Sequence, residues 1–294
     1  MQTNLWNPER QVGMLFSGSP NSSAKRGLGQ GSRSMNRHRA SKGKTGALVA
    51  VVIMGSIVEL ANAQMRHLPG GAFTMGTSNG KANESPEHEV ALSPFSIDMH
   101  EVTNAQYDSC VAAGNCTPAH DNDGKCVAWN GRSFVRVRLS QQERDLQAPV
   151  VCITWYQARD YCNFKGKKLP SEAQWEYAAL AGGNTAYAWG NERPDSLRCA
   201  QANEGKPKRA GSFTANPWGI FDMTGNVWEW VNDRYQPDYY AASDLNDPPG
   251  SDVGQYRVIR GGGWYSGPEQ LRIRNRHWFE PSFGEVSIGF RCAK

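Results

Sequence analysis

The spacing of apolar and polar positions changes several times along the chain, and each change marks an element. Between Trp155 and Phe164 the apolar residues Trp155, Ala158 and Cys162 recur at helical spacing, with Thr154 placed to cap the start and Gly166 to stop the run. Ser171-Glu-Ala-Gln174 has the spacing of a capping box and opens a second helix over 172–181, closed by Gly182-Gly183. A third helix is expected over 104–112, and strands over 72–76, 89–98, 257–259, 271–275 and 287–292. The chain holds 31 glycines and 16 prolines, which predicts short strands and irregular connections between them. Helices and strands do not alternate as βαβ units, so the expected class is α+β. No internal repeat and no low-complexity linker breaks the stretch from Leu68 onward, and one domain over 64–294 is expected.

The first 63 residues follow another logic. Residues 1–34 are rich in Gly, Ser and Asn and are expected to be disordered, with Met35 as the natural start. Arg37, Arg39, Lys42 and Lys44 precede an apolar run over 46–58, and Ala61-Asn62-Ala63 supplies small residues for cleavage before Gln64. A charged start, a short apolar core and an A-x-A site make 35–63 a signal peptide. The run is shorter than the roughly 20 residues of a spanning helix, so no stable membrane span is expected after cleavage. A periplasmic or secreted location follows. The formal net charge is +4, but eight basic and only two acidic residues fall before residue 64, which leaves the rest slightly acidic. Nothing there calls for nucleic acid as a partner.

Export permits disulfides, and the seven cysteines are 110, 116, 126, 152, 162, 199 and 292. An odd number leaves at least one unpaired or paired to another chain. No C-x-x-C occurs, and the six histidines (38, 67, 88, 100, 120 and 277) show no ligand spacing for zinc. His120-Asp-Asn-Asp-Gly124 lacks the glutamate an EF-hand needs at its twelfth position and reads as a polar turn. Trp155, Trp175 and Trp189 are expected in the core, and Asp160 and Glu176 on solvated helix faces.

Seven stretches in order carry a family signature: LPGGAFTMGT (68–77), SPEHEVALSPFSIDMHEVTNAQY (85–107), GKKLPSEAQWEYAALAGG (166–183), YAWGNE (187–192), NPWGIFDMTGNVWEWVNDRY (216–235), RVIRGGGW (257–264) and IGFRCAK (288–294). The series resembles the formylglycine-generating enzyme, or sulfatase-modifying factor, family. The resemblance implies that family's single compact domain, related to C-type lectins and poor in regular structure. It also implies a Cys162–Cys292 disulfide. A second family bridge would join the positions of Ala179 and Asn275, both of which lack cysteine here. Local closure then suggests Cys110–Cys116 and Cys126–Cys152, leaving Cys199 free or open to a second chain.

The resemblance further implies structural Ca²⁺ held by Asp222 and Glu229 side chains and by the carbonyls of Gly225 and Val227; the other reading of that stretch is a turn before a buried strand. A second family calcium site would use Asn203, but its acidic partner has no match in 205–213. In the oxidase members the RGG-(S/G)-W motif is followed by two cysteines that bind copper(I). The corresponding positions here are Tyr265 or Ser266 and Gln270 or Leu271, and neither choice supplies the soft sulfur ligands that copper(I) takes. No copper is expected.

Two readings of function stay open. One is an exported family member acting in maturation, oxidative or otherwise, of a secreted peptide or protein, as cysteine-free relatives do in pyoverdine siderophore biosynthesis. Tyr265, Ser266, Glu269 and His277 are its candidate catalytic groups, with Glu269 and His277 as an acid–base pair, and Glu280 is a further polar group of the cleft. Arg260, Gly262, Gly263, Trp264, Arg272 and Arg274 are candidates for binding substrate, although Arg272 and Arg274 could equally brace loops. The other reading is a non-catalytic lectin-like binding module, or an accessory subunit of an envelope complex bridged through Cys199.

Overall fold

The computed structural model describes residues 64–140, 144–196, 198–199 and 205–294. The expected disordered segment and signal peptide, together with Asn203, lie outside the described residues. Among these residues eleven short strands and three α-helices follow in chain order. They are β1 (Met65–Leu68), β2 (Gly71–Met75), β3 (His88–Leu92), β4 (Phe95–Asp98), α1 (Asn104–Ala112), β5 (Cys126–Trp129), β6 (Phe134–Val137), α2 (Trp155–Phe164), α3 (Glu172–Leu180), β7 (Trp228–Arg234), β8 (Arg257–Arg260), β9 (His277–Phe279), β10 (Gly284–Glu285) and β11 (Ile288–Phe290). The α+β class stands. No helix among the described residues is long and apolar enough to cross a membrane.

Local chemistry sets the helix ends. Thr103, Thr154 and Ser171 each accept a hydrogen bond from the backbone N–H three residues on, and Gln106, Gln157 and Gln174 answer from their side chains. All three helices therefore open on capping boxes, each satisfying two otherwise orphaned donors. The expected strand over 89–98 is two strands, β3 and β4, broken at Ser93-Pro94. The expected strand over 271–275 does not form. Leu271, Ile273 and Asn275 are buried and Arg272 and Arg274 are not, so the alternation is real, but the segment turns and has no ladder partner.

The central sheet has the order β11-β7-β8-β9, with β11 parallel to β7 and the other pairs antiparallel. The β7–β8 register sets Glu229 opposite Arg260 and Trp230 opposite Ile259. One apolar cluster fills the space between α3 and β1–β4, and a second packs α1 and α2 on the other part of the sheet, with Tyr107 stacked on Tyr161 at 5.7 Å. The smaller sheet β10-β5-β6 stands beside β9 and carries a third cluster around Trp264.

Disulfides join Cys110 to Cys116, Cys126 to Cys152 and Cys162 to Cys292, the three pairings expected. The last closes a loop of 130 residues and ties α2 to the C-terminal segment. In a chain-entropy account a loop of that length contributes about 4–5 kcal/mol. Trp155 and Trp175 are core residues, as expected, and residues 121–124 form a turn, with His120 hydrogen-bonded to Asp123.

Glu176 is the clear correction: it is fully buried, because α3 is enclosed almost all round. Its carboxylate meets Arg260 Nη2 at 2.5 Å, and Arg260 Nη1 lies 2.6 Å from Glu172 Oε1. Arg276 adds two bonds to Glu172, at 2.7 and 2.9 Å, and its guanidinium stands 4.0 Å over the Tyr240 ring. Removing one member of such a buried network strands its partners as uncompensated charges. The Arg260→Leu substitution is expected to cost about 3 kcal/mol or more in urea unfolding, whereas Glu269→Gln, at an exposed position, is expected to stay within about 0.5 kcal/mol of the parent.

Candidate functional site

The glycine run begins where β8 ends. Arg260 turns its side chain into the core and leaves none of it at the surface, which removes it from the expected substrate-binding set. Gly262 sits at φ 79°, and a Cβ there would lie 2.8 Å from Leu271 and 3.0 Å from the Gln270 carbonyl. A Cβ on Gly263 would lie 3.0 Å from Ser287. These glycines admit neighbouring chain rather than a ligand. Ser266 is buried in the turn that follows, its hydroxyl accepting from the Gly263 N–H at 3.0 Å. Leu271 is fully buried against Tyr187 and Cys199. Both positions where the family resemblance placed a copper ligand are thus closed and sulfur-free under the Ser266/Leu271 alignment. Cys199 is the free thiol; it is fully buried, and burial with the nearby Asp195 charge pushes it up to about 12. It presents no sulfur at the surface to a second chain.

Beyond the turn the chain opens a cavity of about 400 Å³. Trp129 and Phe134, from β5 and β6, form one wall with Phe279 of β9; Trp228 and His277 form the other, over Ile259 and Ile288. The rings meet edge to face: Trp129–Phe134 at 5.2 Å, Phe134–Phe279 at 5.1 Å and Trp228–His277 at 5.4 Å. Tyr265 and Glu285 supply the polar end. Glu285 Oε1 accepts from the Tyr265 hydroxyl at 3.0 Å, and Oε2 accepts from the Ser287 N–H at 2.7 Å and its hydroxyl at 2.6 Å. Burial pushes the Glu285 carboxyl up to about 7 and the Tyr265 phenol well above its ordinary value. His277 is held below its ordinary value, chiefly by burial. Its Nδ1 lies 2.7 Å from the Trp278 backbone nitrogen and 3.0 Å from the Trp278 carbonyl oxygen, accepting from the first or donating to the second according to its tautomer.

The structure therefore brings together Tyr265 and His277 of the expected catalytic set and leaves Glu269 and Ser266 apart from them. Glu269 is exposed and tied to Arg272, not to His277. Arg272 grips Glu84 through two nitrogens at 2.8 and 2.9 Å, and Arg274 reaches Asn184, Glu176 and the Thr74 carbonyl. Both arginines brace loops. Trp264 is buried, with its indole N–H directed at the Val286 carbonyl. Glu280 is bonded to Ser282 on a turn. Glu285 carries the carboxyl that sequence reasoning sought at Glu269. Its only sequence signal is a carboxylate placed two residues before an apolar strand, where an inward-facing side chain must be charged or hydrogen-bonded.

The expected calcium ligands divide. Glu229 has both oxygens taken, by Arg291 at 2.7 and 2.7 Å and by the Trp175 indole at 2.9 Å. Asp222 stands at φ 57°, Gly225 at 103° and Asn226 at 59°, a tight loop of left-handed residues. Asp222 Oδ2 accepts the Gly211 N–H, while Asp222 Oδ1 and Glu101 Oε2 are buried, with the two carboxyls as each other's side-chain partner there. Burial raises both carboxyls, and the Asp222 charge raises Glu101 further. Among the described residues no group of three His, Cys, Asp or Glu side chains is arranged around a metal. The hard oxygens of Asp222 and Glu101, with loop carbonyls such as those of Gly225 and Val227, nevertheless fit a hard divalent cation.

A loop-rich α+β domain with lectin-like architecture, a closed glycine turn and an aromatic cleft defines a class, and the comparisons name it. The sulfatase-modifying factor enzyme 1-like domain family matches residues 54–294, and the chain belongs to that family. The formylglycine-generating enzyme of Streptomyces coelicolor is 33% identical, over 77% of this chain and 87% of its own. The serine/threonine-protein kinase pkn1 of Chlamydia caviae is 35% identical over 79% of this chain, which spans 38% of that relative's length. The solved structure of PvdO from Pseudomonas aeruginosa superposes with a TM-score of 0.66 at 27% identity, covering 79% of this chain and 94% of that one.

The raised carboxyl of Glu285 gives the cleft a pH signature. A carboxyl that ionises in the unfolded chain near about 4.3 but in the fold only at about 7 stabilises the fold fully below the lower value. That contribution is lost as pH rises through the upper one. Asp233, pushed up to about 8 by burial and the Glu172 charge, acts in the same direction. The Glu285→Gln variant is expected to gain roughly 2–4 kcal/mol relative to the parent between pH 4.5 and 8, read from urea unfolding at a series of pH values.

Proposed function

We propose that this family member acts without copper, as an exported domain that recognises a segment of a secreted peptide or protein in the aromatic cleft for its maturation. The observation that carries the reading is the pairing of a closed, sulfur-free glycine turn with an open cleft beside it. The cleft holds aromatic rings, a neutral imidazole and a carboxyl poised near neutrality. Such concave, mostly apolar sites with few polar groups are where proteins take ligands. The disulfides accord with a periplasmic or secreted setting. Glu285 and His277 could exchange a proton with a bound group, so the cleft supports maturation chemistry as well as recognition.

Calcium belongs to the same reading as a structural ion. Asp222 and Glu101 would supply its carboxylates and Gly225 and Val227 its carbonyls, and it would neutralise buried charge that Arg291 alone does not balance. Its chemistry would be electrostatic, fixing loops rather than reacting.

Two outcomes are expected for the purified mature domain. Anaerobic titration with copper(I) gives no stoichiometric, tightly held metal, and a cysteine-containing peptide is not converted to an aldehyde. Calcium at millimolar concentration raises the unfolding temperature by several degrees, as a ligand bound only by the fold must, and Asp222→Asn with Glu101→Gln removes the increase. Replacing Tyr265 and Phe134 by alanine in the producing cell is expected to change the mass of at least one exported peptide or protein. Unchanged exports would refute the maturation reading, and stoichiometric copper would refute the copper-free one.

A further inference from the structure

The cleft's chemistry is more specific than its shape. Trp129, Phe134 and Phe279 meet edge to face, at 63° and 72°, and all three line the space. Trp228 lines it too. Among the described residues no lysine or arginine lines the space, and Glu285 is the one carboxyl that does. Burial favours the neutral form of the His277 ring. The two oxygens of Glu285 are not equally served: Oε2 takes two donors from Ser287, and Oε1 takes the Tyr265 hydroxyl. A carboxylate oxygen has room for a further donor.

Three classes of guest can be weighed. An anion would be repelled by Glu285 and would find no cation to hold it. A neutral apolar group would use the rings but gain nothing from the carboxyl at the polar end. An organic cation satisfies both, because the ring faces carry negative potential and the carboxylate supplies full countercharge. The cavity of about 400 Å³ holds one side chain or a small amine, not a folded element.

We propose that the cleft binds an alkylammonium group, seated among Trp129, Phe134, Trp228 and Phe279 with Glu285 as its counter-ion. This rests on the cleft being the recognition site and names what it recognises. The group comes from a lysine side chain or from a peptide amino terminus. Binding ionises Glu285 and releases its proton. The other titratable groups lining the space are the Tyr265 phenol and His277, and Lys81, held on Asn275 Oδ1 at 2.8 Å, is the cation that bears on His277. Strands β7, β8 and β11 present only Trp228, Ile259 and Ile288 to the space.

Isothermal titration calorimetry on the whole mature chain tests this with four probes: tetramethylammonium, N-acetyl-lysine methylamide, its Nε-acetylated form, and a glycyl dipeptide amide with a free amino terminus. Tetramethylammonium is expected to bind, tightening between pH 6 and 8 as Glu285 ionises, although it has no proton of its own. The free lysine probe is expected to bind at least tenfold more tightly than the acetylated one. Comparison with the glycyl dipeptide decides between side chain and terminus. Phe134→Ala, at a half-exposed position that the core does not need, is expected to weaken each cation about fivefold or more, and Glu285→Gln to abolish the pH dependence. Equal binding of the lysine probe and its acetylated form overturns the ammonium proposal while leaving the cleft as a recognition site. Failure of every cation to bind at 10 mM (on the order of a 1 mM Kd limit) also overturns it, and changed exports in the cleft variant would then still uphold the broader reading.

Discussion

Three arginines with almost no exposed surface, Arg260, Arg276 and Arg291, organise this fold. Few of its strands exceed five residues, so backbone ladders alone cannot fix how the segments meet. Each arginine instead gathers segments distant in sequence. Arg260 binds two carboxylates of α3 and the Ile273 carbonyl; Arg276 binds Glu172 and the Asn83 carbonyl; Arg291 binds Glu229, the Asp98 carbonyl and the Phe221 carbonyl. The planar guanidinium suits this role because it offers five donors in a fixed fork and stays charged. Burying it demands carboxylates and carbonyls at defined places, which converts loose loops into one arrangement. The hydrophobic clusters supply driving force, and the ion network specifies geometry.

That network also explains why the glycine turn is closed. With Arg260 directed inward at Glu172 and Glu176, the chain leaves β8 with Gly261–Gly263 packed against Leu271, Gln270 and Ser287. Ser266 and Leu271 follow into the interior. The next open face lies where β5, β6, β9 and the approach to β11 meet. The elements that build the cleft are short and set by distant contacts, and Glu285 depends on the parallel pairing of β10 with β5 for its inward position.

Much of the fold was legible in the sequence. The helix at 172 was readable from a capping box, which needs only residues i and i+3, and the one at 155 from a capping threonine and helical spacing; all three helices formed where expected, within a residue. The disulfide pairing followed from family resemblance and short closure. What failed had long-range causes. Leu271–Asn275 alternates like a strand but has no neighbour to pair with. Glu176 reads as a helix-face charge, yet no exposed face exists once α3 is enclosed. Glu269 and His277 looked like partners because they are near in sequence, but Glu269 turns outward to Arg272.

The sequence by itself determined the family, the α+β class, the capped helices, the cysteine pairs and the absence of a copper thiolate pair, because each rests on residue identity at short spacing or on an ordered series of motifs. Only the tertiary structure decided which charges are buried, that Arg260 and Ser266 belong to the scaffold, and that Glu285 rather than Glu269 faces the cleft with Tyr265 and His277. Those outcomes depend on contacts between segments tens to nearly two hundred residues apart. There, burial and the need to satisfy every enclosed charge set each side chain's direction, and no local pattern records that constraint.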